Sequence, residues 1–262
     1  MFSYLDTFTS IYLLVLCALL GLVMGSALNC LALRIAKEEK WSGGRSHCPS
    51  CNHTLKAADL VPLFSYLFLK GRCRYCGKKI SPRYPAAEAA LALVFVSLLL
   101  RFGLSLETPF LMIFCGCLFC LSLVDLDIQI IPDRFLVIAA LSRLVYLLLI
   151  HGFAFGTIWY SLWHGLLIGG SVLILSLIMD KVLHKESMGG GDIKLLFVLG
   201  LYFDLPCCFF LIITACVLGI LLALVLSAKK GVAFPFGPAL SLAAWLTLLF
   251  GGPITQWDMG LF

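Results

Sequence analysis

Long apolar blocks separated by short polar stretches dominate the chain, at about 8–33, 86–101, 108–124, 134–150, 157–180, 193–206, 207–228 and 235–251. A membrane span needs roughly 20 apolar residues, with a range near 17–25. The pattern therefore predicts an all-α, polytopic membrane protein of about eight transmembrane helices. Blocks 86–101 and 193–206 are short, and tilt, extension or shelter by neighbouring helices would accommodate them. Pro206 is the break expected between the two runs that cover 193–228.

Composition narrows the class further. The 262 residues are 61% hydrophobic and 13% charged, with a mean hydropathy of +1.04. That is more apolar surface than one water-soluble core of this size could hide. Met1 to Ser10 offers only Asp6 as a charge, so no cleavable signal, which needs a basic leading region, is expected.

Charge sets the expected orientation. Residues 1–33 hold no Lys or Arg, whereas residues 34–85 carry eleven of the nineteen and a net charge of +8. A basic block between apolar runs marks the cytoplasmic side. Eight spans with that loop inside place 125–133, 181–192 and 229–234 there too, with both termini outside. Of the remaining cations, Arg101 and Arg143 fall elsewhere. The block could also attract anionic headgroups; orientation alone accounts for it, and no nucleic acid partner is expected. The expected divisions are a first span (1–33), a cytoplasmic basic loop (34–85) and a membrane core (86–262).

Within the basic loop, Cys48-Pro-Ser-Cys51 and Cys73-Arg-Tyr-Cys76 form two CxxC pairs. Two such turns can complete a tetrahedral thiolate site, which predicts a small zinc-binding loop domain held by Cys48, Cys51, Cys73 and Cys76. Four sulfur ligands leave no position for a catalytic water, so this zinc would be structural. Four free or redox-active thiols are the alternative. His47 and His53 are read as bystanders. The other eight cysteines are read as small apolar residues.

Two positions in the first span stand out. Gly21 and Gly25 form a small-xxx-small pair that permits close helix approach. Asn29 is a buried amide whose role is divided evenly between structure and function.

Carboxylates are scarce, fourteen in all, and two groups of them sit at ends of spans. Ser122-Leu-Val-Asp125-Leu-Asp127 runs on to Pro132-Asp133. On a helix Asp125 and Asp127 are about 200° apart, so only one can face a given partner. In Met188-Gly-Gly-Gly-Asp192-Ile-Lys194, glycines allow close approaches and Asp192 falls where an N-cap is expected. Both Asp125 and Asp192 belong to cytoplasmic ends of spans. Brought together they would share a proton, the ionised one acting as base on water and the protonated one donating to a carbonyl. That is the chemistry of aspartic proteolysis. A non-catalytic zinc-stabilised scaffold, and a transporter using Asp125 and Asp192 for protons or ions, are the competing readings. Acids clustered at one interface disfavour the transporter.

The runs Gly25-Ser-Ala-Leu-Asn29, Arg45 to Cys51, Lys70 to Cys76, Arg83-Tyr-Pro85 with Glu88, Asp125 to Asp133, Gly189 to Leu195 and Pro235-Phe-Gly-Pro238 together resemble the type IV prepilin peptidases. The resemblance implies a bacterial inner-membrane enzyme with eight spans. Such an enzyme cleaves the leader of type IV prepilins or type II secretion pseudopilins on the cytoplasmic side. It then methylates the new N-terminal amine with S-adenosylmethionine. It also implies that Asp125 and Asp192 are the catalytic aspartates and that the four loop cysteines hold zinc. Ala27 departs from the phenylalanine common in the family. No glycine-rich dinucleotide-type fingerprint is present for the methyl donor; the basic loop, Asn29 and Glu88 are where its site is expected.

Overall fold

A computed structural model describes residues 6–40, 46–152, 155–184, 188–225 and 235–259. Among them the structure is helical, with no strand beyond two isolated bridges. The chain divides into two compact units, Met1–Thr108 and Pro109–Phe262.

The first unit is built on two long helices, α1 (Thr7–Ala36) and α3 (Arg83–Phe102), with the short α2 (Phe64–Phe68) in the loop between them. Asp6 caps α1 by accepting from the Thr9 N–H, which satisfies one of the amides a helix start leaves without a partner. The helices run antiparallel: Gly21 faces Ala92, Gly25 faces Glu88, and Asn29 meets Arg83. A methyl group on Gly21 would lie 2.5 Å from the Ala92 Cα, and one on Gly25 would lie 2.8 Å from the Glu88 Cα. The glycine pair therefore serves packing. Gly21→Leu should force the two backbones apart, at a cost of about 1–3 kcal/mol. A lower melting temperature in detergent is the check, and an unchanged one would contradict the close contact.

The second unit contains α4 (Glu107–Ile128, from Pro109 onward), α5 (Asp133–His151), α6 (Phe155–Leu183), α7 (Gly190–Gly200), α8 (Leu205–Val225) and α9 (Gly237–Met259). Glycines again set the closest packing, with Gly165 and Gly169 of α6 against Phe197, and Gly200 of α7 against Gly165. The turn after α7 is a polar knot in an apolar setting. Arg143 Nε and Ser161 Oγ both donate to the Leu201 carbonyl, and the Tyr202 hydroxyl donates to the Ala139 carbonyl. Arg143 also lies over the Tyr146 and Tyr202 rings. This cation therefore closes a helix end and carries no orientation signal.

Among the described residues, six helices are long and apolar enough to cross a membrane: α1, α3, α4, α5, α6 and α8. This is a multi-pass membrane protein. Each of the eight apolar blocks read from the sequence coincides with a helix, although α7, at 11 residues, is only about 16 Å long. Two boundaries differ from expectation. Pro206 does not separate α7 from α8; the break lies at 201–204, and Pro206 sits in the first turn of α8. The first helical turn has no partner for its N–H groups, so proline fits there. Likewise Asp192 is not an N-cap. Gly189 holds that position and Asp192 follows within the first turn.

Candidate active site and metal centre

The loop of the first unit is built from two matching turns. Cys48 N–H donates to the His53 carbonyl while Asn52 N–H donates back to the Cys48 carbonyl; Cys73 N–H donates to the Lys78 carbonyl and Gly77 N–H to the Cys73 carbonyl. Each turn places the residue after its second cysteine in the left-handed region, Asn52 at φ 54° and Gly77 at φ 69°. Asparagine and glycine are the residues that adopt it at least cost. The result brings the sulfurs of Cys48, Cys51, Cys73 and Cys76 within 4.8 Å of one another. Sulfurs arranged tetrahedrally at about 2.3 Å from zinc stand roughly 3.8 Å apart, so the donor set and its spacing suit that metal. The backbone N–H of Ser50 is the main influence that pushes the Cys48 thiol down to about 6. At Cys51 the His53 N–H also acts downward, but burial and the neighbouring Cys48 and Cys76 sulfurs together push the thiol up to about 11. One thiolate, at Cys48, is thus favoured beside a protonated Cys51. Neither His47 nor His53 belongs to the cluster; the His53 ring lies on Tyr75 with centroids 3.7 Å apart.

Asp59 ties the second cysteine turn to the 3-10 turn Ala57–Asp59. It accepts from Lys56 N–H and the Tyr75 hydroxyl and pairs with Arg74 at 2.8 Å. Burial alone would raise its pKa, but these partners together hold the carboxyl below its ordinary value. That contribution to loop stability is complete at neutral pH, and is lost as the pH falls through the ordinary carboxylate range and below it.

At the level where α1 and α3 meet the loop lies a second polar group. Arg83 Nε donates to Asn29 Oδ1 at 3.2 Å, and Glu88 Oε2 accepts the Leu63 N–H at 2.7 Å. Asn29 is fully buried, and its amide nitrogen has no partner among the described residues. Asn29 thus has a structural partner and a spare donor. Near Arg83, Tyr66, Lys70, Arg72, Lys79 and Ser81 line a groove of about 540 Å³.

In the second unit, Asp125 and Asp192, singled out from the sequence, fall within electrostatic range of one another. Asp125 lies in the last turn of α4, only 5% exposed, while Asp127 is exposed. The roughly 200° between them on the helix is why only one faces inward. Asp192, half-buried in the first turn of α7, is near enough for the Asp125 charge to act on it. The α4–α5 connection closes over this point. Gln129 takes a left-handed φ of 56°, Ile131 packs on Gly191, and Asp133 pairs with Lys194 at 2.9 Å. A methyl on Gly191 would come 3.0 Å from the Ile131 Cβ.

One participant was not anticipated. Gly237, the first residue of α9, donates its backbone N–H to Asp125 Oδ2 at 2.9 Å. A free helix N-terminus is a ready donor to an anion, and here it fixes the orientation of the carboxylate. The signal available in the sequence was Pro235-Phe-Gly-Pro238, a rigid bracket around a residue without a side chain. A methyl on Gly237 would stand 2.7 Å from Asp125 Oδ2. Gly237→Ala should therefore turn the carboxylate away and lower any reaction that depends on Asp125 by about tenfold or more, given that sub-ångström placement governs such sites. Cleavage assays on inserted protein check this; full activity would show that the contact is not needed.

Comparison with known proteins fits both halves of this picture. The model of the bacterial peptidase A24 N-terminal domain matches residues 19–102, and that of the type IV leader peptidase family matches residues 112–224. A prepilin leader peptidase/N-methyltransferase of Bacillus subtilis is 33% identical over 242 residues, covering 89% of this chain and 93% of its own. The chain belongs to the type IV leader peptidase family. Other relatives with the same name are those of Pseudomonas putida, 34% identical over 281 residues with 95% of each chain covered, and of Pseudomonas aeruginosa, 32% identical over 284 residues with 92% of each covered. No solved structure matches. Ala27 and its neighbours thus stand in a leader peptidase whose likeness to its relatives covers both units.

Proposed function

We propose that this leader peptidase cleaves the leader of type IV prepilins or type II secretion pseudopilins at the cytoplasmic face of the bacterial inner membrane, and then methylates the new N-terminal amine. The names of the relatives support the two activities. The observation that supports the peptidase reading is a buried Asp125 whose carboxylate is held by the Gly237 N–H, within electrostatic range of Asp192.

Two adjacent carboxylates cannot both ionise cheaply, so the pair holds one proton and one negative charge. The ionised member takes a proton from water, whose oxygen attacks the scissile carbonyl carbon. The protonated member donates to the carbonyl oxygen. When the tetrahedral adduct collapses, the C–N bond breaks, the amine takes up a proton, and the leader leaves with a new carboxylate. A substrate with a basic leader and an apolar helix would present that bond at the membrane surface, where both acids are expected.

For methylation, S-adenosylmethionine would supply an electrophilic methyl group to the freed amine. Asn29 and Glu88 fit a polar ligand: the first has a spare buried donor and the second a carboxylate that could face a sulfonium. The 540 Å³ groove does not fit, since its charged lining is cationic. The four cysteines would hold a structural zinc that keeps the loop folded.

Incubating the purified protein with a prepilin and methyl-labelled donor tests both activities. A faster-migrating, labelled product is expected. An uncut prepilin would overturn the peptidase reading, and a cut but unlabelled product would overturn the methyltransferase.

A further inference from the structure

The loop of the first unit contains an apolar tract that neither the metal site nor the aspartate pair uses. From Leu60 to Leu69 the chain reads Leu-Val-Pro-Leu-Phe-Ser-Tyr-Leu-Phe-Leu, within a block otherwise rich in Lys and Arg. Its largest side chains point outward. Phe64 is 50% exposed, Leu67 64% and Phe68 83%, with Leu60 and Val61 also exposed. Residues 64, 67 and 68 share one face of α2, because positions three and four apart lie side by side on a helix. A contiguous apolar face of this kind, in water, marks a surface that meets a partner or a membrane.

Two hydrogen bonds place this face along α3. Arg83, the first residue of α3, is joined to Asn29 of α1, and Leu63, just before α2, is joined to Glu88 of α3. Glu88 is five residues beyond Arg83, about 7.5 Å further along the helix. The loop therefore leaves α1, forms the first cysteine turn, folds back beside the second turn of a membrane-crossing helix, and then forms the second cysteine turn. An in-plane amphipathic segment buries its apolar side chains about 5–10 Å into the boundary between headgroups and acyl chains. α2, at five residues, is too short to cross.

The charges beside the tract agree. Lys70, Arg72 and Lys79 follow it and line the neighbouring groove with no acidic residue among the lining. Such a cluster next to an apolar insertion complements anionic headgroups.

We propose that Leu60–Phe68 is an in-plane membrane anchor, whose exposed apolar face inserts among the lipids of an anionic bilayer while Lys70, Arg72 and Lys79 engage headgroup phosphates. The anchor holds the cysteine-bearing loop against the membrane surface.

The test places benzoylphenylalanine at position 68 of the full-length, zinc-supplied protein in vesicles of phosphatidylethanolamine and phosphatidylglycerol, at roughly 3:1. Illumination and intact-mass analysis should give a phospholipid adduct, with at least about tenfold less when the probe replaces Thr54, which is exposed beside the first cysteine turn. The adducts should be enriched in phosphatidylglycerol over its bulk share, and Lys70→Gln with Arg72→Gln should remove that enrichment. A cross-link from position 68 to another part of the chain, to a second copy or to added prepilin, or no adduct at all, overturns the proposal. A bulk share of phosphatidylglycerol in the unaltered loop overturns its charge component. Where the probe disturbs folding, Phe68→Trp replaces it. Its emission, after subtraction of the five native tryptophans, should be quenched by brominated phosphatidylglycerol, and an unquenched signal overturns the insertion.

Discussion

Asp125→Asn and Asp192→Asn should each reduce leader cleavage by at least about 10²–10⁴-fold, the range over which positioned acids and bases contribute. An amide has nearly the shape of the carboxylic acid but can neither take a proton from water nor hand one to the scissile carbonyl. In the proposed cycle each acid does one of these, so neither substitution leaves a working half-site. The expected losses do not multiply, because members of one catalytic unit fail together. Asp127→Asn supplies the contrast. That side chain is exposed, on the other side of α4, and its loss should cost little. Cleavage rates of the three variants on one prepilin, with membrane insertion verified, decide the matter. Wild-type rates for either of the first two would remove that residue from the site, and abolition by the third would move the site to Asp127.

The second large effect concerns the four thiols. Structural zinc sites bind with about 10–16 kcal/mol at neutral pH, free energy that appears as folding of the segment holding the ligands. The loop has little else to hold it. Its cysteine turns are stabilised by short-range backbone bonds and by the Asp59–Arg74–Tyr75 contacts. Cys48→Ser combined with Cys73→Ser takes one ligand from each turn, and Cys48 and Cys73 are the buried members. Bound zinc, measured by atomic emission on purified protein, should fall from about one per chain to near zero, the loop should become protease-sensitive, and Asp125 and Asp192 chemistry should suffer less. Unchanged metal content or unchanged proteolysis would contradict the metal assignment.

The two candidate centres are marked in the sequence for different reasons. The cysteine site is encoded locally: each CxxC sets its own turn, Asn52 and Gly77 follow at the left-handed positions, and only one long-range approach is needed. The aspartates are encoded across the fold. Asp125 and Asp192 are separated by α5 and α6, so nothing in their spacing brings them together; their shared place at cytoplasmic ends of spans pairs them, and the resemblance to a family implies the same pair. Gly237 lies 112 residues from Asp125, and a backbone N–H carries no mark of its own in a sequence. Helix positions were readable because apolar length dominates them. Two of the boundaries were not, because proline and aspartate each suit more than one position near a helix start: Pro206 opens α8, and Asp192 lies inside α7 behind Gly189. Asn29 reads from the sequence as a buried amide in a span, but its partner, Arg83, lies 54 residues away.

An experimental structure of the protein with an uncleavable prepilin bound would measure the arrangement itself. The scissile carbonyl is expected between the side chains of Asp125 and Asp192, each within hydrogen-bond reach of it directly or through one water, at about 2.6–3.2 Å per contact, with Gly237 N–H still on Asp125. A substrate bond bound elsewhere, or carboxylates held apart on either side of it beyond the reach of a shared water, would contradict the account.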